Sequence, residues 1–88
     1  MSKLTVVAKS MSSLEIAELT GKEHRNVMSD IRKMLDELNI DAAMFSATYK
    51  AGRNNTYECF NLPKDETIAL ISGYSAVLRM AIIKRWSE

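Results

Sequence analysis

This sequence predicts an α+β fold, on three observations. Residues 13–32, SLEIAELTGKEHRNVMSDIR, carry two phased helix-start signals around a single glycine. Residues 45–62 read as two strands around the turn Ala51-Gly52-Arg53-Asn54-Asn55. Two further helical stretches open at Pro63 and at Ser75. In chain order this is a winged helix-turn-helix with two C-terminal helices: a core over residues 1–62, and over 63–88 a helical extension of the same domain.

The elements follow from local chemistry. Lys3–Ala8 is rich in β-branched residues, with Leu4, Val6 and Ala8 in period two, and is expected as a strand. Ser12 with Glu15 forms one capping-box pattern and Thr20 with Glu23 another, so a helix is expected on each side of Gly21. In the second helix Val27, Ile31, Met34, Leu35 and Leu38 fall on one stripe at 3.6 residues per turn, with Met28 at its margin; this is the expected core face. Asp30 stands where an apolar residue is common in such motifs. Asn39–Ala43 is a connection, and the Gly and Asn residues of the following turn tolerate the positive φ that a hairpin needs. Pro63 suits a first helical position, with Asp65 and Glu66 well placed in the first turn and Gly73 ending the helix. In the last helix Val77, Leu78, Ala81, Ile82 and Trp86 form one broad apolar side, with Met80 and Ile83 beyond it. That helix is still amphipathic at Glu88, so the chain is expected to be part of something longer.

Composition bounds the function. Eighty-eight residues make one small domain, which buries roughly 60 to 65% of its unfolded surface. Apolar residues at 47% and charged residues at 26% are ordinary for a globular protein. No apolar run is long enough for a membrane span or a signal peptide. Cys59 is the only cysteine, which excludes a disulfide framework or a thiolate metal cluster and fits a reducing cytoplasm. It is expected to pack as a small apolar group. No phosphate loop, metal-ligand spacing or nucleophile elbow is present, so neither an enzyme nor a cofactor is expected.

Net charge is only +1, and its local distribution says more. Between Lys22 and Lys33 stand Lys22, Arg25, Arg32 and Lys33 against Glu23 and Asp30, while Lys50–Asn55 holds Lys50 and Arg53 with no acid. Arg25, Asn26 and Ser29 lie opposite the core stripe and carry the donor and acceptor groups that read base edges. Lys22, His24, Arg32 and Lys33 are the expected phosphate contacts, although His24, the only histidine, falls toward the core side of the wheel. Lys50, Arg53, Asn54 and Asn55 would make the contacts of a wing. Tyr49, Tyr57 and Phe60 are expected in the core rather than as a base-stacking platform. Leu78, Ile82, Ile83 and Trp86 are expected at an interface between two copies of the chain.

At these residues the chain resembles the phage regulatory proteins of the Rha family, from temperate phages and prophages. One matching stretch is Met11–Leu38, with its core Ile16-Ala17-Glu18-Leu19-Thr20-Gly21-Lys22, then His24, Asn26-Val27 and Asp30-Ile31-Arg32. The other runs from Leu62-Pro63-Lys64-Asp65-Glu66-Thr67 through Ser72-Gly73-Tyr74-Ser75 to Leu78-Arg79 and Ile82-Ile83-Lys84-Arg85-Trp86. Asp65 and Lys84 depart from the pattern by carrying charges opposite to those expected. The resemblance implies a DNA-binding regulatory domain at the N-terminus of a longer phage protein, acting in the bacterial host cytoplasm. Such proteins are often called antirepressors, which leaves two kinds of partner open: double-stranded DNA, or a repressor protein that the domain sequesters without binding DNA.

Overall fold

The computed structural model describes residues 9–87. The strand expected over Lys3–Ala8 lies outside them. The described elements are β1 (Ser10–Ser12), α1 (Ser13–Thr20), α2 (His24–Glu37), a 3-10 turn (Ala42–Phe45), β2 (Ser46–Ala51), β3 (Asn55–Pro63), α3 (Lys64–Ile71) and α4 (Ala76–Trp86). The three strands form an antiparallel sheet in the order β1-β3-β2. Four helices on such a sheet make an α+β fold compatible with a winged-helix-like arrangement.

Ser12 has two roles. It closes the short ladder opposite Asn61, and its Oγ accepts the Leu14 N–H at 3.0 Å, capping α1. The reciprocal half of the expected capping box is not made, because the Glu15 carboxylate pairs with Arg85 of α4 instead. Helix α1 ends at Gly21, whose φ of +75° lets its N–H reach the Ala17 carbonyl at 2.9 Å. A side chain there would be held in the left-handed region, which costs L-residues about 1 kcal/mol or more.

The second capping box is corrected by the structure. Thr20 is the last residue of α1, with its hydroxyl donating to the Ile16 carbonyl at 2.7 Å, so it does not cap α2. Glu23 occupies the N-cap of α2 without a side-chain hydrogen bond. The two helices are therefore joined by Gly21, Lys22 and Glu23 alone.

The stripe on α2 packs as expected up to its end: Val27, Met28, Ile31, Met34 and Leu35 are buried, whereas Leu38 is the C-cap and is 48% exposed. They meet Met11 of β1, Ile16 of α1, Phe60 and Leu62 of β3, Leu70 and Ile71 of α3 and Ile82 of α4 in one core. Each such side chain contributes about 1.5–3 kcal/mol by leaving water. Residues of the C-terminal helices thus complete the same core as the N-terminal motif.

This packing also shows where the residues expected at an interface between copies stand in a single copy. Helix α4 packs on α1 and α3, which leaves Ile82 fully buried, Trp86 against the core and Leu78 half-buried. Only Ile83 of the four expected residues faces outward. The exposed apolar groups of α4 are Val77 at 79%, Met80 at 48% and Ile83 at 41%.

The hairpin is close to the expected one. Phe45 belongs to the 3-10 turn rather than to β2, and Ala51 pairs with Asn55 to close the ladder. Gly52 and Asn54 take φ values of +65° and +61° in the turn between them. At the far end of β3, Pro63 is the last strand residue and the N-cap of α3, one position earlier than its expected helical place.

Candidate nucleic-acid interface

Because the apolar stripe of α2 is turned into the core, the residues opposite it have no alternative to solvent. Arg25, Asn26, Ser29, Arg32 and Lys33 are all exposed, on positions that recur at the helical repeat. They do not offer equal hydrogen-bonding capacity. Arg25 meets Glu23 at 3.4 Å with both side chains mostly in water, a pair weak enough to be exchanged for another acceptor. Arg32 is held more firmly: its guanidinium donates to Glu58 of β3 at 2.6 Å and lies over the Phe60 ring at 5.6 Å. Lys33 makes no ion pair among the described residues.

Lys22 is turned elsewhere. Its ammonium group meets Asp30 at 3.6 Å and lies over the Tyr74 ring at 4.9 Å, while the Tyr74 hydroxyl donates to the same Asp30 carboxylate at 3.0 Å. Burial, and then the hydrogen bond to Asp30, push the Tyr74 hydroxyl above the ordinary tyrosine range. The cluster explains the aspartate at a customarily apolar position. Asp30 ties the segment between α3 and α4 to α2, and in doing so engages one of the expected phosphate contacts.

At the start of α2, His24 is half-buried. Its Nε2 lies 2.8 Å from the Ser13 hydroxyl, and its ring meets the Tyr49 ring edge-on at 5.8 Å. Burial lowers its pKa from the ordinary histidine value, which favours the neutral imidazole. Ser13 is fully buried and its Oγ also accepts the Phe60 N–H at 3.0 Å. Sequence reading passed over Ser13 because its partner in β3 is 47 residues away.

Two side-chain links therefore hold the hairpin beside α2: His24 on Tyr49 of β2, and Arg32 on Glu58 and Phe60 of β3. At the hairpin tip Lys50, Arg53, Asn54 and Asn55 are exposed, and neither cation there makes an ion pair among the described residues. Tyr49 and Tyr57 oppose one another across the strands with ring centres 5.7 Å apart. Contrary to expectation they do not join the core. Tyr57 is 46% exposed and Tyr49 half-buried, and of the three aromatics only Phe60 is a core residue. Cys59 is buried, and burial with Glu58 nearby raises its thiol pKa, which disfavours the reactive thiolate.

Among the described residues no helix is long and apolar enough to cross a membrane, and no group of three or more His, Cys, Asp or Glu could hold a metal ion. What the fold presents is a small α+β domain with one polar helix face and a basic hairpin tip turned to solvent. The sequence model of the phage regulatory protein Rha family matches residues 11–88, and the chain belongs to that family. Comparison with curated proteins and with solved structures gave no match. The matched span takes in all the described elements except the first residue of β1.

Proposed function

We propose that this domain is a sequence-specific DNA-binding regulator in the host cytoplasm, with α2 as the recognition helix of a helix-turn-helix and the hairpin as a wing. The observation that carries the reading is the exposed row Arg25, Asn26, Ser29 and Lys33 on a helix whose other face is core. Arg25, Asn26 and Ser29 read base edges in the major groove. Lys33 and His24 hold phosphates, and so do Arg32 and Lys22 once their ion pairs open. Lys50, Arg53, Asn54 and Asn55 touch the backbone or the minor groove. Selection of bound duplexes from a random pool at two salt concentrations tests this. A single enriched motif is expected, with affinity falling steeply as salt rises, because phosphate contacts release counterions. An unenriched pool at low salt would reject the reading.

A second reading is favoured by the apolar groups Val77, Met80 and Ile83 on the outer side of α4. Here the domain acts as an antirepressor by docking a repressor protein on that side, or it pairs there with a second copy. A complex insensitive to salt, formed by a chain without measurable DNA affinity, would support it over the first.

A further inference from the structure

The hydroxyl of Ser13 has a single proton, and the geometry around it decides where that proton goes. Oγ accepts the Phe60 N–H at 3.0 Å, and its remaining described neighbour within hydrogen-bonding distance is Nε2 of His24 at 2.8 Å. If His24 donated through Nε2, Ser13 would accept twice and its own proton would lie buried with no acceptor among the described residues, which is unfavourable. The favourable assignment has Ser13 donating to Nε2. A neutral imidazole that accepts at Nε2 carries its proton on Nδ1. Among the described residues Nδ1 has no hydrogen-bond partner. The Tyr49 ring packs against the imidazole from the β2 side, with the two planes close to perpendicular.

We propose that Ser13 is a positioning residue for DNA binding: by donating to His24 it holds the imidazole as the Nδ1–H tautomer and keeps that N–H available as the donor to a phosphate oxygen. The proposal rests on the DNA-binding reading for the identity of the acceptor. It gives His24 a role that does not need a positive charge. A neutral N–H, held from behind by a hydroxyl that is itself tied to β3, donates in one direction only. The same two bonds join α1, α2 and β3 at one point, so the donor's direction is set relative to the wing as well as to the recognition helix.

Three variants separate the parts of this arrangement. His24→Gln keeps an acceptor for Ser13 near the Nε2 position but offers no directed donor at Nδ1. His24→Asn keeps a donor near Nδ1 and loses the bond to Ser13. Ser13→Ala removes the hydroxyl and leaves the imidazole free to change tautomer. The measurements are the ¹⁵N shifts of the imidazole, backbone amide spectra to establish folding, and duplex affinity using a sequence enriched from the random pool. The wild type is expected to show the Nδ1–H pattern, and Ser13→Ala to shift toward Nε2–H with a native amide spectrum. Loss of one neutral hydrogen bond corresponds to roughly threefold to tenfold weaker binding. That loss is expected for Ser13→Ala and His24→Gln, with a smaller one for His24→Asn. An Nε2–H pattern in the wild type would overturn the assignment of Ser13, and so would unchanged affinity in folded Ser13→Ala. Should Ser13→Ala fail to fold, the wild-type tautomer and the order of the two His24 variants decide the matter. Failure of the DNA reading itself looks different: the wild type would bind no duplex while the Nδ1–H pattern remained.

Discussion

Helices α2 and α4 are both amphipathic on paper, and they use the property in opposite ways. In α2 the two faces are cleanly separated: five buried apolar side chains on one side, and Arg25, Asn26, Ser29, Arg32 and Lys33 on the other. In α4 the single fully buried residue is Ile82, while Val77, Met80 and Ile83 point outward and Lys84 and Arg85 crowd the last turn. A helix with one apolar face is satisfied by one core. A helix with two keeps apolar surface in water, and among the described residues no further layer covers it. The difference separates a surface suited to a polar, charged ligand from one suited to an apolar partner.

The largest expected effect tests the buried side of α2. Leu35→Ala removes a fully buried side chain and should cost about 2–5 kcal/mol, read as a fall in thermal or denaturant midpoint. A loss below 1 kcal/mol would mean that the two faces are less separated than described. On the outer side, Arg25→Ala should leave stability unchanged and cost about 1–3 kcal/mol of specific binding with a relaxed preference at one position. Lys33→Ala should weaken all duplexes alike and flatten the salt dependence. If both variants bind as the wild type does, the outer face is not the reading surface.

The link between the two helices is next. Tyr74→Phe deletes the hydroxyl that donates to Asp30 and should cost about 0.5–1.5 kcal/mol, with amide shifts that reach α2 from the α3–α4 connection. Shifts confined to α4 would show that the two helices are uncoupled. Smallest in stability is the pair Val77→Ser, Met80→Ser on the outer side of α4, which should change it by about 0.5 kcal/mol or less. Any association between copies, measured by sedimentation, should be lost with it. Retained association would place the contact away from Val77 and Met80.

Much of this was legible in the sequence. The periodicity of α2, the glycine after Thr20, the hairpin turn and the Ser75 cap each depend on residues within a turn or two of one another, and each is found close to where local chemistry puts it. What escaped depends on distance along the chain. Ser13 is indistinguishable from any serine in a first helical turn until Phe60 is brought beside it. Asp30 looked like a misplaced polar residue until Tyr74 supplied its partner. Glu58 sat in a strand with no sign that it would take up Arg32. The outward and inward sides of α4 were confused for a related reason: Ile82 and Ile83 are equally apolar, and only the positions of α1 and α3 decide which is covered. A helical wheel orders residues around an axis, but it does not say where the neighbours stand.

The junctions of strand and helix carry one more consequence. Strand β1 passes into α1 and β3 into α3 with no residue between them, and the two helices leave from opposite ends of the same three-residue ladder, Ser10–Ser12 against Asn61–Pro63. There is no slack at either end. One residue inserted after Ser12 would turn the whole of α1 by about 100° and send Ile16 out of its place, whereas the same insertion between Gly52 and Asn54 would only lengthen a tip. Lineages of this domain should therefore vary in length at the hairpin and hold it constant at the ladder. Grafts or tags meant to leave the fold intact belong at the same tip.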